Sequence, residues 1–300
     1  MHTAKDLTTY FRERQPLVEQ ALDLYLPPAT SYPAIIHEAM RYSVFAGGKR
    51  LRPLLLIIAA EMWAKPVTDV LFAAAALEMI HTYSLIHDDL PALDNDDLRR
   101  GKPTSHKQYG EDIAILAGDA LLTLAFQTMT DPAQRNHCTP QAILSATYEL
   151  ALAAGTFGMV GGQVMDMQAE KHQIQSAELE YIHSHKTGKL LTAAVRIGAI
   201  LADAAPEQLA AISMYGEKIG LAFQIIDDLL DVESSTEILG KPVHSDESHQ
   251  KATYPALYGL ERSKIIAQQL IDEAKRALHS FGDHAHYFVL LADYIYTRTR

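Results

Sequence analysis

The chain has 300 residues, 48% of them hydrophobic and 21% charged. That is enough to bury about three quarters of the surface an unfolded chain exposes and too apolar for disorder as the main state. With 26 Lys and Arg against 37 Asp and Glu the net charge is −11, which speaks against a general nucleic-acid binder, and the single cysteine, Cys138, excludes an internal disulfide and fits a reducing compartment.

The N-terminal segment, MHTAKDLTTYFRERQPLVEQ, has no apolar core of signal-peptide length. The longest apolar runs, such as Leu54–Ala60, are too short to span a bilayer. A cytoplasmic protein without membrane insertion is expected. Downstream, apolar residues recur at spacings of three and four over Ile35–Phe45, Val67–Ile86, Ile113–Met129, Pro140–Ala154 and Glu207–Leu230, which predicts helices. Many of these windows are apolar around most of their circumference, as helices inside a large bundle are. Neither alternating strands with hairpin turns nor a βαβ rhythm is seen. Breaks fall at Pro27–Pro28, Pro66, Pro91, Asp131–Pro140 and Ser234–Pro255, none long or polar enough for a domain linker. The reading is one all-α domain over residues 1–300, a large helical bundle of roughly ten or more helices around a central cavity.

Two acidic clusters interrupt this apolar pattern. The window Met79–Ile86 leads into His87-Asp88-Asp89-Leu90-Pro91-Ala92-Leu93-Asp94-Asn95-Asp96-Asp97, with five carboxylates over residues 88–97. Pro91 should end or bend the helix. Leu77, His81, Ser84 and Asp88 share one helical stripe, which carries a carboxylate to the mouth of a buried face. Like charges this close repel unless cations share them, and hard cations such as Mg²⁺ or Ca²⁺ take carboxylate oxygens; a solvated acidic turn is the other reading. The spacing is not that of an EF-hand loop. Far downstream, Phe223-Gln224-Ile225-Ile226-Asp227-Asp228-Leu229-Leu230-Asp231 ends another apolar helix. Gln224, Asp227 and Asp231 fall on one face, and carboxylates on so apolar a helix are costly to bury without partners. Two such clusters suggest one site for several metal ions. A di-iron site needs Glu-x-x-His pairs instead.

Basic clusters complement the acidic ones. Gly47-Gly48-Lys49-Arg50-Leu51-Arg52-Pro53 sets three positive charges in four residues after a double glycine, and Arg99-Arg100-Gly101-Lys102 follows the first acidic cluster. Lys186-Thr187-Gly188-Lys189, Lys241 and Lys251 come later. Arg forks onto phosphate oxygens, and Mg²⁺ typically bridges a carboxylate or two to substrate phosphates. Acidic and basic clusters together describe a polyphosphate held from two sides. No Gly-x-x-x-x-Gly-Lys-Ser/Thr loop is present, which disfavours a nucleotide-hydrolysing fold.

Through GGKRLRP at 47–53, HTYSLIHDDLPALDNDDLRRGKPT at 81–104, GQVMD at 162–166, HKTGKLL at 185–191, FQIIDDLLD at 223–231 and GKPVHSDESHQKATYP at 240–255, the chain resembles the trans-isoprenyl diphosphate synthase family, in particular bacterial-type farnesyl diphosphate synthases. The resemblance implies an all-helical bundle around a deep apolar cavity with two aspartate motifs facing each other at its mouth, and a homodimer. It implies Mg²⁺-dependent head-to-tail condensation of isopentenyl diphosphate with dimethylallyl or geranyl diphosphate to farnesyl diphosphate and pyrophosphate, with three Mg²⁺ per site and Mn²⁺ as a substitute. By the same resemblance Asp88, Asp89 and Asp94 form the first metal-holding motif, and Asp227, Asp228 and Asp231 the second. Lys49, Arg52 and His81, with Arg100, are implied for the diphosphate of isopentenyl diphosphate. Arg99, Lys186, Lys241 and Lys251 are implied for the allylic diphosphate, and Thr187 and Gln224 face the reacting carbons. The basic tail ending at Arg298 and Arg300 closes over the homoallylic site in this reading.

Tyr83 and Ser84, five and four residues before Asp88, are implied to set product length, a bulky ring favouring the fifteen-carbon product. Helical spacing alone does not aim Tyr83 at the cavity, so a packed core aromatic is the other reading. Gly188 weakens its helix, so Lys186-Thr187-Gly188 is expected at an irregularity. Asn95 and His244 depart from the family pattern. Gln163 and Asp166 are expected to make supporting hydrogen bonds, and Met159, Met165 and Met167 to line core or cavity. His172, His183, His185, His279, His284 and His286 read as surface or packing residues. The alternatives are a geranylgeranyl diphosphate synthase with the same chemistry, a class I terpene cyclase, and a non-catalytic partner subunit. The intact Lys49, Arg52 and His81 set argues against the cyclase, and the two complete aspartate clusters argue against the partner subunit.

Overall fold

The computed structural model describes residues 4–133, 138–169, 174–233 and 253–297. Its helices follow the apolar windows closely. After α1 (Ala4–Tyr25) come α2 (Ala34–Val44), α3 (Leu51–Glu61) and α4 (Leu71–Asp88). A two-residue hairpin, β1 (Leu98–Arg99) antiparallel to β2 (Lys102–Pro103), interrupts the bundle. Then come α5 (Ser105–Tyr109), α6 (Glu111–Thr130), α7 (Pro140–Ala154), α8 (Met159–Ala169) and α9 (Ser176–Ile182). A π-helical turn, His183–Gly188, joins α9 to α10 (Lys189–Leu201). The chain continues through α11 (Pro206–Glu233), α12 (Tyr254–Tyr258), α13 (Leu260–Ala277) and α14 (His286–Thr297).

The core sits where the most apolar helices meet. Pro53–Ala60 of α3 and Phe72–Ile80 of α4 are buried without interruption, as helices apolar around nearly all of their circumference are, with Glu78 the one charged residue among them. α10 packs against α3, α7 and α11. Gly198 lets it approach α3 at backbone distance: a Cβ there would lie 2.2 Å from the Leu56 carbonyl oxygen. The Tyr215 hydroxyl donates to the Phe288 carbonyl at 2.9 Å, fastening α14 to α11.

The expectation that no segment is long and apolar enough for a bilayer is corrected. By length and composition alone, Glu111–Thr130, Pro140–Ala169 and Pro206–Val232 are long and apolar enough to cross one. Uninterrupted apolar runs do not reveal this, because each stretch dilutes its few charges over an eighteen-residue window. An apolar stripe faces outward on both helices of the Pro140–Ala169 stretch: Leu144, Tyr148 and Leu152 on α7, Val160, Val164 and Met167 on α8. Met159 is buried and Met165 packs on the core, but Met167 is exposed, against expectation.

Candidate active site

The first acidic cluster begins where α4 stops. Asp88 is the last residue of α4, and Pro91 follows without adopting helix. The chain then folds back, and the Asp94 N–H donates to the Asp88 carbonyl at 2.9 Å. Asn95 takes the left-handed conformation (φ 54°), which Asn tolerates better than most residues. Asp88 and Asp94 are therefore neighbours in space as well as in the motif. Asp89 points elsewhere. Its buried carboxylate accepts from Arg99 Nε at 2.6 Å and pairs with Nη2 at 2.5 Å. Burial pushes the Asp89 carboxyl up to about 6, with Arg99 pulling against the rise.

The π-turn links the two acidic helices. Lys186 Nζ donates to Asp166 Oδ2 at 2.7 Å and lies 3.9 Å from Asp88 Oδ2. Burial works against the Lys186 charge, yet Asp88 and Asp166 together hold its pKa above the ordinary lysine value. Gln163 Nε2 donates to Asp88 Oδ1 at 2.6 Å. On the other side of the turn, Thr187 Oγ1 donates to Gln224 Oε1 at 2.9 Å. The seat is made by glycines: a Cβ at Gly162 of α8 would lie 2.1 Å from the Lys186 nitrogen, and one at Gly220 of α11 would lie 2.8 Å from the Gly188 Cα. The irregularity expected at 186–188 is thus present and wider, beginning at His183. In the second acidic cluster, Asp227 is half-buried and Asp228 and Asp231 are buried.

A cationic cavity of about 310 Å³ lies beside these carboxylates, lined by Lys49, Arg52, His81 and Arg100 with Phe11, Phe223 and Ile295 among its apolar walls. Arg52 Nη1 is 3.3 Å from His81 Nε2. Burial lowers the Arg52 guanidinium to about 10, with Arg100 adding to the drop and Glu78 opposing it. Burial and the charge of Arg52 hold His81 well below the ordinary histidine value. The Arg100 guanidinium donates to the Gly47 carbonyl and packs where a Cβ on Gly48 (φ 123°) would stand. The double glycine therefore serves close approach to Arg100 as well as a turn. Cations crowded against desolvation and one another favour an incoming anion.

Among the described residues no three His, Cys, Asp or Glu side chains converge on a protein-only metal cage. Asp88, Asp94 and Asp227 supply hard carboxylate oxygens in ones and twos. That donor set fits an ion that completes its shell with water and phosphate, as Mg²⁺ does.

The structure therefore gathers Lys49, Arg52, His81 and Arg100 around one cavity, and Asp88, Asp166, Lys186, Thr187 and Gln224 around the π-turn. Tyr83 is buried and stands edge-on to His87 at 5.8 Å, and the Ser84 hydroxyl turns back to the His81 carbonyl at 2.8 Å. Lys241, His244, Lys251, Arg298, Arg300 and His172 lie outside the described residues. Arg50, expected only as one of a basic cluster, and His183, expected as a surface or packing residue, both occupy central places. Arg50, left-handed (φ 51°) and 2% exposed, donates to Glu19, to Glu78 at 2.8 Å and to the Val44 carbonyl at 2.7 Å. His183 is buried against Asp228 at 2.9 Å. The Lys49–Arg50–Leu51–Arg52 alternation was the available signal for Arg50, since neighbours in a turn point different ways.

Residues 33–285 match the sequence profile of the polyprenyl synthetases. Over 300 residues the chain is 50% identical to a dimethylallyltranstransferase of Fischerella ambigua (strain UTEX 1903), covering 98% of this chain and 84% of that one. It is 45% identical over 299 residues to a geranylgeranyl diphosphate synthase of Cyanophora paradoxa, covering 99% and 98%. The apo structure of an FPP/GFPP synthase from Zymomonas mobilis superposes with a TM-score of 0.88 at 36% identity, covering 98% of this chain and 100% of that one.

Proposed function

The chain belongs to the polyprenyl synthetase family, a family of prenyltransferases acting on isoprenoid diphosphates, and on that footing we propose that it makes farnesyl diphosphate by Mg²⁺-dependent head-to-tail condensation of isopentenyl diphosphate with dimethylallyl or geranyl diphosphate. The observation that carries the reading is the crowding of Arg52, His81 and Arg100 around one cavity next to the acidic motif that Lys186 reaches. One diphosphate would sit among Lys49, Arg52, His81 and Arg100. The other would sit between Lys186 and the carboxylates Asp88, Asp94 and Asp227, with Arg99, Lys241 and Lys251 as further partners.

When bound between those aspartates and the allylic diphosphate, Mg²⁺ would neutralise charge growing on the leaving group. Lys186, fixed by Asp166 at 2.7 Å, supplies a preorganised positive charge to the same leaving oxygens. The π-turn frees backbone carbonyls from the ordinary helical pattern, and Thr187 with Gln224 brings polar oxygens to the same place, where they stabilise the allylic carbocation. Apolar walls such as Phe223 and Ile295, in the neighbouring cationic cavity, would keep water from reaching it. The double bond of isopentenyl diphosphate then attacks, and the proton it loses goes to the released pyrophosphate.

Farnesyl length rests on the Tyr83 ring; geranylgeranyl diphosphate synthase is the second reading, favoured by relatives such as the Cyanophora enzyme. The outward apolar stripe on α7 and α8 supports association of two copies as a homodimer. The test is incubation of the purified protein with Mg²⁺, labelled isopentenyl diphosphate and dimethylallyl diphosphate, followed by sizing of the dephosphorylated products. A fifteen-carbon alcohol, lost in Asp88→Ala and Asp227→Ala, supports the proposal. A twenty-carbon alcohol transfers it to the second reading, and no elongation overturns both.

A further inference from the structure

Asp228 sits in the second acidic motif, yet its surroundings differ from those of its neighbour Asp227. It is 3% exposed. Oδ2 is 2.9 Å from His183 Nε2 and accepts the Tyr254 N–H at 3.0 Å. Oδ1 faces Gln224 Nε2 at 3.4 Å. Gln224 in turn accepts from Thr187. One carboxylate thus touches the first residue of the π-turn directly, reaches its fifth through Gln224, and holds the start of α12. The His183 and Tyr254 ring centroids lie 5.4 Å apart.

We propose that Asp228 is a positioning residue and not a metal ligand: it anchors the π-turn to α11 and so sets where Lys186 and Thr187 stand. The inference rests on the prenyl-transfer reading only for what the turn positions. Buried carboxylates need hydrogen-bond partners, and here three protein donors supply them, two of them on Oδ2. A metal ligated through Oδ2 would displace the bonds to His183 and Tyr254, and one ligated through Oδ1 would compete with Gln224.

Substitution separates the two roles. In Asp228→Asn the amide oxygen can take over both hydrogen bonds of Oδ2. A flip of the Gln224 amide re-pairs the rest, its oxygen accepting from the new amide nitrogen and its nitrogen donating to Thr187. The anchor survives; a metal ligand would not. In Asp228→Ala the anchor goes.

Three readouts apply to the wild type, these two variants and Asp227→Asn: hydrogen–deuterium exchange of amides 183–188, calorimetric titration of Mg²⁺ with inorganic pyrophosphate present, and kcat. The expected result for Asp228→Asn is wild-type exchange and Mg²⁺ affinity, with kcat within about tenfold. For Asp228→Ala it is faster exchange across 183–188 and kcat down about 100-fold, with Mg²⁺ affinity retained. A loss of Mg²⁺ affinity in Asp228→Asn as large as in Asp227→Asn overturns the proposal. So does unchanged exchange at 183–188 in Asp228→Ala. Absence of prenyl product from the wild type defeats the prenyl-transfer reading instead, and the exchange comparison then decides on Asp228 by itself.

Discussion

Arg52 Nη1 and His81 Nε2 lie 3.3 Å apart inside the cationic cavity. A guanidinium only donates, so the histidine nitrogen facing it must be the lone-pair side of a neutral imidazole. Burial and Arg52 hold His81 well below its ordinary pKa. The unfolded chain takes up that proton near pH 6.5 while the folded chain does not. Stability from this residue is therefore full above about pH 6.5 and is lost as pH falls below it. Urea unfolding between about pH 7 and 5 should show a slope that His81→Gln, which keeps an acceptor for Arg52, makes shallower; an unchanged slope refutes the assignment.

Arg52 itself, lowered to about 10 by burial, stays charged at neutral pH. The KM for the homoallylic diphosphate should be flat near neutrality and rise as pH approaches 10. Glu78 is the strongest charge opposing the drop, so Glu78→Gln should bring that rise to lower pH. Steady-state kinetics at varied pH, with both substrates titrated, checks it.

Glu78 is also half of a buried pair with Arg50. Arg50 would keep Glu19 and the Val44 carbonyl as partners, so Glu78→Leu should cost about 1–3 kcal/mol, the loss of one buried charged hydrogen bond. The double variant Arg50→Met with Glu78→Leu should cost less than the sum of the single ones. Denaturant titrations of all three provide the cycle, and strict additivity would show that the pair is not coupled.

Gly162→Ala would drive a methyl group into the Lys186 backbone. The π-turn must shift away from α8, pulling Lys186 off Asp166. We expect kcat to fall by about 10–100-fold with helical content by circular dichroism unchanged. Wild-type kcat would mean that the turn does not need this seat.

Tyr83 is buried among core residues and packs edge-on to His87. Tyr83→Met trades the ring for a flexible chain at a cost of about 1–3 kcal/mol. If the ring limits the product, longer alcohols should appear in the dephosphorylated mixture. An unchanged length assigns Tyr83 to packing alone.

The helices were legible because apolar periodicity decides them: Pro140–Ala154 was read with the boundaries it has, and Ile35–Phe45 within a residue. Val67–Ile86 was read as one helix, but a 3₁₀ turn, Val67–Asp69, precedes α4. The chemistry-bearing types and their clustering were legible too. Orientation was not. Asp88 and Asp89 are adjacent letters, yet one meets Gln163 and Lys186 and the other disappears beneath Arg99. Asp228 and His183 are 45 residues apart, and nothing in either local pattern pairs them. Such partnerships are settled by which helices the fold lays side by side, and a single sequence does not spell that out.

The π-helical turn at His183–Gly188 also sets where its own side chains aim. Each α-helical residue advances by about 100°, and a π-turn accommodates one residue more than an α-helical path would. Deleting a single residue between 183 and 188 would let α9 run on into α10 as ordinary helix. Because the turn takes up that residue within the α-helical path, α9 and α10 would keep the faces they now present, and only the side chains inside the turn would be re-aimed. His183 could not keep facing Asp228 while Lys186 kept facing Asp166. The extra residue is stored locally: it leaves both flanking helices in phase and spends its displacement on aiming the side chains between them.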